Sequence, residues 1–470
     1  MKRPFFLSLA FTAGGSAAVA AVSLVRNVLI ASVMGPAAFG LWNFCAVVLR
    51  LTVESHLGAL SVLSVEAPIH RGGGRPAEAR TLERRAVSMT LLFALAAGAL
   101  GAAALCFVGG APLYGAAALL GVTIVLQSLF FADATVLRSR GVFGRVALAQ
   151  IAFALVHIAG LLWLVPSRYL SGALLAWAAA LLVAVTAMRL RPAEPMPPPR
   201  PSPAGGDLVV RGIPTYLVGL TFVVLLQTDR VVVGALLGAE ALGFYGILGL
   251  GASALLFLPD AFASVLLPMA GERFGRAGED PVALARIVER ATRGLAVVSA
   301  SALAMALAGT DLIVAYKLPN FAAALPAARP YLAGVFLLAL TAPLRFVLVT
   351  VGAGRATLLA TLAAFTIAVA LESAACLAGP GLVGVATASA AAAMILFGAL
   401  LGIATARRVL TSRAALRLFA ETILFGGAAL ACDAVLAGAA PWLRLAVPSA
   451  LAALAAVQLV RWARATSSSA

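Results

Sequence analysis

Residues 212–246 read GIPTYLVGLTFVVLLQTDRVVVGALLGAEALGFYG, an apolar run broken in its middle by Asp229 and Arg230. An ionised side chain in hydrocarbon costs about 2.5–3.5 kcal/mol on insertion scales, so charges in such a run are expected to face a protein interior or a wet cavity. The phrase stands near the amino terminus in variant form. Arg26-Asn27-VLIASVM-Gly35-PAAF-Gly40-Leu41-Trp42 matches Asp229-Arg230-VVVGALL-Gly238-AEAL-Gly243-Phe244-Tyr245 at an offset of 203 residues. Gly144-Arg145 matches Gly354-Arg355 at an offset of 210, and Gly172-Ala173 matches Gly384-Val385 at 212. The chain is written twice in the same direction, which predicts two lobes related by a parallel repeat.

The composition fixes the solvent. Of 470 residues, 63% are hydrophobic and 11% charged, with a mean hydropathy of +1.05, whereas soluble domains carry about 25% charged residues. Apolar stretches of around 20 residues are each long enough to cross about 30 Å of hydrocarbon as helices, and the ten-residue alternation of an outer-membrane barrel is missing. We therefore expect an all-α polytopic protein with fourteen spans, near 1–34, 40–66, 86–108, 113–135, 143–165, 169–188, 212–237, 241–268, 294–316, 330–353, 356–378, 381–405, 418–438 and 445–461. Twelve spans is the alternative count. The basic, apolar start imitates a signal peptide, but its apolar segment runs on to Met34 and reads as an uncleaved first helix.

The net charge of +16 does not point to nucleic acid, because the basic residues are spread over short loops. They follow the positive-inside rule. Loops on one side hold 26 of the 34 Lys and Arg, the other side holds Arg168, Lys317, Arg329 and Arg444, and the spans hold Arg26, Arg50, Arg230 and Arg345. This predicts a multi-pass membrane protein with both termini cytoplasmic. The proline-dense segment 189–211 reads as an extended cytoplasmic linker between an amino-terminal six-helix lobe, 1–188, and a second, 212–405. Residues 406–470 would add two helices and a short tail. In the loop before the ninth span, Asp280-PVALARIVERATR reads as a short amphipathic helix, either at the lipid headgroups or solvated.

Cys45, Cys106, Cys376 and Cys432 lie singly in apolar spans and read as core residues. His56, His70 and His157 are isolated, so no metal site is expected. No Walker loop, Asp-x-Asp cluster or Ser-His-Asp arrangement occurs, which leaves no sequence case for ATP hydrolysis or covalent catalysis. Asp260 and Glu372 fall inside apolar spans without a nearby partner in sequence, as a cation-coupling acid or a buried structural acid would. Arg50 and Glu54 are spaced to pair on one helix face, Asp229 is placed to pair across helices with Arg26, or Arg230 with an acid elsewhere, and Asp133 beside Arg138 reads as a capping or interfacial residue.

On the phrases Gly35-PAAF-Gly40-LW, LLQTDRVVVGALLGAEALGFYG and YLAGVFLLALTAPLRFVLVTVGAGR, the chain resembles the multidrug/oligosaccharidyl-lipid/polysaccharide flippase superfamily, above all its Wzx-like polysaccharide-export branch. The resemblance covers nearly the whole chain. It implies two six-helix lobes forming a V around a cavity, alternating access, and a lipid-pyrophosphate-linked oligosaccharide as cargo. It implies no enzyme activity and no cofactor beyond coupling to H+ or Na+. Its implied partners are membrane lipids, a polysaccharide polymerase and glycosyltransferases. Guanidinium groups suit phosphate because they stay protonated and donate two parallel hydrogen bonds. The expected cationic cavity therefore comprises Arg26, Arg50, Arg230 and Arg345, with Glu54, Asp229, Asp260 and Glu372 as charge partners or ion-coupling acids. A cation-coupled multidrug exporter of the same superfamily, a lipid II flippase and a membrane glycan polymerase are the competing readings.

Overall fold

The computed structural model describes residues 2–72, 75–109, 113–190, 206–253, 255–256, 259, 280–379 and 381–450. Among the described residues there is no β-strand. The longer helices are α1 (Lys2–Thr52), α2 (Ala59–Gly72), α3 (Pro76–Gly109), α4 (Tyr114–Ser139), α5 (Phe143–Arg189), α6 (Gly206–Leu225), α7 (Thr228–Leu236), α8 (Gly238–Ile247), α9 (Ala285–Lys317), α10 (Leu325–Thr350), α11 (Gly354–Ala378), α12 (Gly381–Ala406) and α13 (Ser412–Leu436). The chain divides into two compact units, Met1–Gln227 and Thr228–Ala470. The division falls within the segment read from sequence as one unbroken seventh span, where the helix stops at Leu225 and resumes at Thr228.

Two of these helices are hairpins. With 51 residues at about 1.5 Å each, α1 would run about 76 Å if straight, more than twice the hydrocarbon thickness. At Gly35 its backbone leaves helical geometry (φ 70°, ψ 174°) and the chain doubles back. The Arg26 guanidinium, which a straight helix would hold about 24 Å from Trp42, lies 5.7 Å from that ring. In α5 the break is at Tyr169 (φ 46°, ψ −123°), and a Cβ at Gly160 would stand 2.9 Å from that of Ala176 on the returning half. Each hairpin supplies two spans, so the first unit holds the six spans read from sequence and, in addition, α6.

The repeat is visible in the backbone. Left-handed residues occur at Gly35 and Gly238, at Gly141 and Gly352, and at Tyr169 and Gly381, with offsets of 203, 211 and 212 by position. Each breaks or starts a helix at the corresponding place in its unit.

The second span is not one helix to residue 66 as expected. After Thr52 it tightens into a 3-10 turn, Val53–His56, and then passes through two left-handed residues, Leu57 and Gly58, before α2 begins. Gly58 backs directly onto Gly212 of α6, where a Cβ would meet the Gly212 carbonyl carbon at 2.7 Å. Only glycine permits that approach. Small residues likewise let α3 and α4 touch, with the position of a Cβ on Gly98 2.9 Å from the Gly121 carbonyl oxygen.

The amphipathic piece after Asp280 is not a separate surface helix. Asp280 caps a 3-10 turn by accepting from the Val282 N–H at 3.0 Å, and the chain then runs straight into the 33-residue α9. Its apolar face, Leu284, Ile287, Val288, Ala291 and Leu295, is buried within the protein. Arg293 ties it to α13 by donating to Glu421 at 2.7 Å.

Ion pairs lock the helix ends. At one end of the first unit the buried Glu83 accepts from both Arg71 and Arg140, while Asp133 takes a two-pronged contact from Arg189 at 2.7 and 3.2 Å, not from Arg138. Burial holds the Arg71 and Arg140 guanidiniums below the ordinary arginine value, Arg71 also through the neighbouring positive charge. The other end carries exposed Tyr114, Trp163 and Tyr169, the amphipathic aromatics that favour a bilayer interface. In the second unit, Arg444 of the helical segment 441–450 contacts Asp311 at 2.7 Å and Asp433 at 3.6 Å, and Arg329 donates to Asp433 at 3.1 Å. This cluster joins α9, α10, α13 and that segment; the rest of the fourteenth expected span, 451–461, lies outside the described residues.

Candidate functional site

Each unit holds charged side chains at its centre, in different company. In the first, Arg26 comes from the outgoing half of the α1 hairpin and lies over two indoles, 4.8 Å from the Trp177 centroid and 5.7 Å from that of Trp42. The two rings stand 5.5 Å apart and are tilted by 43° to one another. The Arg26 Nε donates to Asn27 Oδ1 at 3.1 Å. No described carboxylate of its own unit lies within 4 Å of it, the ion pairs of this unit being made elsewhere. Such cation–π contacts are worth about 0.5–2 kcal/mol, the larger figure when water is excluded. The column continues through His157, 5.4 Å from Trp177, to Phe153, 5.2 Å further on. His157 is fully buried, and neither ring nitrogen has a hydrogen-bond partner among the described residues.

The break in the second span makes another cluster. Gly58 N–H donates to His56 Nδ1 at 3.1 Å, which leaves the proton of a neutral ring on Nε2, 3.8 Å from Glu54 Oε2. Tyr216 of α6 donates to the Glu54 carbonyl at 2.7 Å and presents its ring to His56 edge-on at 5.5 Å. Among the described residues no ion pair joins Arg50 to Glu54, because the helix that would bring positions four apart together ends at Thr52. Arg50 itself is exposed in the last turn before the break, not enclosed by its unit.

In the second unit, α7 packs against α8 and α11. Asp229 accepts from the Arg230 backbone N–H at 2.7 Å and from the Tyr245 hydroxyl at 3.0 Å. The Arg230 guanidinium donates to Tyr331 of α10 at 2.9 Å, and the two tyrosine rings meet edge to face at 5.1 Å. Glu372 on α11 is 1% exposed. Its Oε1 accepts from Ser389 of α12 at 2.6 Å, while Oε2 has no hydrogen-bond partner. The Asp229 and Glu372 carboxylates are near enough to act on one another electrostatically. Arg345 is half-buried on α10. Asp260 lies outside the described residues.

Sequence reasoning named the charges and missed what holds them. Trp42 and Tyr245 stood out only as matched positions of the repeat and His157 only as an isolated histidine, and nothing singled out Trp177, Tyr216, Tyr331 or Ser389. One signal was available: the offset that aligns Arg26 with Asp229 also aligns Trp42 with Tyr245. Among the described residues no group of three or more His, Cys, Asp or Glu could hold a metal ion.

No family model matches the chain, and no curated protein matches it in sequence. Solved structures do. The lipid II flippase MurJ in an inward closed conformation matches with a TM-score of 0.69 at 11% identity, over 97% of this chain and 98% of that one. An inward-facing multidrug resistance MATE family transporter of the MOP superfamily matches with a TM-score of 0.62 at 16% identity, over 87% and 94%. A MOP superfamily transporter from Pyrococcus furiosus Vc1, described as having a binding pocket of reverse polarity, matches with a TM-score of 0.61 at 15% identity, over 90% and 96%. At such identities the likeness establishes the fold: a multi-pass membrane protein built like the MATE and MOP transporters.

Proposed function

We propose that this chain is a flippase of the MOP superfamily that moves a polyprenyl-pyrophosphate-linked oligosaccharide, an exopolysaccharide, capsule or O-antigen unit, from the cytoplasmic to the outer leaflet by alternating access. The fold shared with a lipid flippase supports the transport class. The observation that carries the cargo assignment is Arg26, a guanidinium inside the first unit with rings and no carboxylate of its unit against it. An uncompensated cation in a bilayer-spanning bundle is costly to keep, and an anionic headgroup is the ligand that repays it. We further assign the driving cation, H+ or Na+, to the second unit, where Asp229 and the open Oε2 of Glu372 supply acidic oxygens.

The same two carboxylates favour the second reading, a cation-coupled multidrug exporter. Reconstitution separates the two. Proteoliposomes bearing a fluorescent polyprenyl-pyrophosphate disaccharide should show protein-dependent loss of the inner-leaflet pool to a membrane-impermeant reductant, and Arg26→Ala should abolish it. Movement of a lipophilic cationic dye without movement of the sugar lipid would establish the exporter instead.

A further inference from the structure

An arginine inside a membrane bundle ordinarily leans on a carboxylate. Arg26 leans on Trp42 and Trp177, and the difference matters when a ligand arrives. Moving a guanidinium away from a carboxylate strands a buried anion, which is strongly unfavourable. Moving it away from a ring strands nothing, because the ring is neutral and loses only the cation–π contact. We propose that Trp42 and Trp177 are positioning residues that hold Arg26 as an available cation, from which it passes to the phosphate oxygens of an anionic headgroup entering the first unit.

This deepens the flippase reading and rests on it. Three observations support it. The guanidinium lies over both indoles, at 4.8 and 5.7 Å, so two rings hold it and not one. His157, fully buried against Trp177, keeps both ring nitrogens without a partner among the described residues, which puts open hydrogen-bonding capacity beside the cradle. The equivalent position in the second unit, Asp229, carries the opposite charge and is held by hydrogen bonds instead, so the ring-held cation is particular to the first.

The test uses the full chain in detergent with Trp163, Trp442 and Trp462 replaced by Phe, which leaves Trp42 and Trp177 as the emitters among its 5 tryptophans. Farnesyl pyrophosphate, inorganic pyrophosphate and farnesol are titrated in parallel. Farnesyl pyrophosphate should change the emission saturably and farnesol should not. Trp177→Leu should weaken binding about tenfold, the upper scale of ordering one flexible side chain on binding, while Trp177→Phe keeps most of the affinity because a face remains to hold the guanidinium in place. Equal affinity for inorganic pyrophosphate would keep the cradle and make the free anion its ligand. Binding that needs Arg26 but leaves the emission and the Trp177 variants unaffected overturns the cradle while the anionic-cargo reading stands. Failure of the parent protein to prefer farnesyl pyrophosphate to farnesol overturns both.

Discussion

The Tyr245 hydroxyl donates to Asp229 across the turn at Gly238, and the interval between those residues is the one that separates Arg26 from the Trp42 ring beneath it across the turn at Gly35. One hairpin geometry, used twice, presents an anion in one unit and a cation in the other. The holder matches the charge: a phenol donates to a carboxylate, and an indole face attracts a guanidinium.

Tyr245→Phe takes the hydroxyl donor from Asp229 and leaves it to backbone N–H groups, that of Arg230 among them. Removing one hydrogen bond to a buried charged group costs about 1.5–3 kcal/mol. The variant should lose several degrees of thermal stability in detergent, and Asp229→Asn should recover part of that loss in the double mutant. An unchanged melting temperature would show that the hydroxyl bond contributes nothing.

Glu372→Gln removes the acidic oxygen left open in the second unit. Its Ser389 partner can still donate to an amide oxygen, so folding should survive while transport loses its response to an imposed pH or Na+ gradient. Flux measured with and without the gradient in proteoliposomes decides it; full gradient dependence in the variant would place coupling elsewhere.

Glu83 sits buried between two arginines. Taking it away leaves both guanidiniums facing each other, so Glu83→Ala should destabilise by about 3–5 kcal/mol. Arg71→Met/Glu83→Leu/Arg140→Met, which removes all the charges, should recover most of it. Monodispersity on heating, followed by size exclusion, gives the comparison.

Gly35 and Gly58 both sit at positive φ, 70° and 88°, but only Gly58 has a neighbour where a Cβ would go. Gly35→Ala should cost about 1–2 kcal/mol, the ordinary left-handed penalty, and still fold. Gly58→Ala adds a backbone collision with Gly212 and should fail to yield folded protein. Similar yields of the two variants would refute the close approach of α2 and α6.

The loop charges predict an orientation that can be read directly. A reporter inserted after Arg84 should read cytoplasmic and one after Pro319 external. The reverse pattern would invert the direction proposed for transport.

The sequence showed most of the fold because each span must be apolar over its full length and each turn of the repeat needs an unusual backbone. Gly35 and Gly238 stood out for that reason. Tyr169 did not, because nothing in its identity announces a left-handed residue. The break at 53–58 was hidden by its apolar flanks, and with it the contact between Glu54 and His56. The partners of the charges were illegible for a further reason: an indole that holds a guanidinium and an indole that fills a core occupy the same kind of position. Asp133 had Arg138 nearby in sequence, yet it pairs with Arg189 from another helix, a choice made by packing alone.

The turns at Gly35 and Gly238 contain no slack. In a helix each residue added or removed rotates everything beyond it by about 100°. One residue inserted between Arg26 and Trp42 would carry the indole to a different face of its helix, whereas many substitutions in the same stretch would leave it in place. The two hairpins therefore tolerate changes of spelling and resist changes of length. Alignments of this fold should show gaps crowding elsewhere, and an engineered loop extension at either turn should silence the charge it flanks without altering a single side chain of the site.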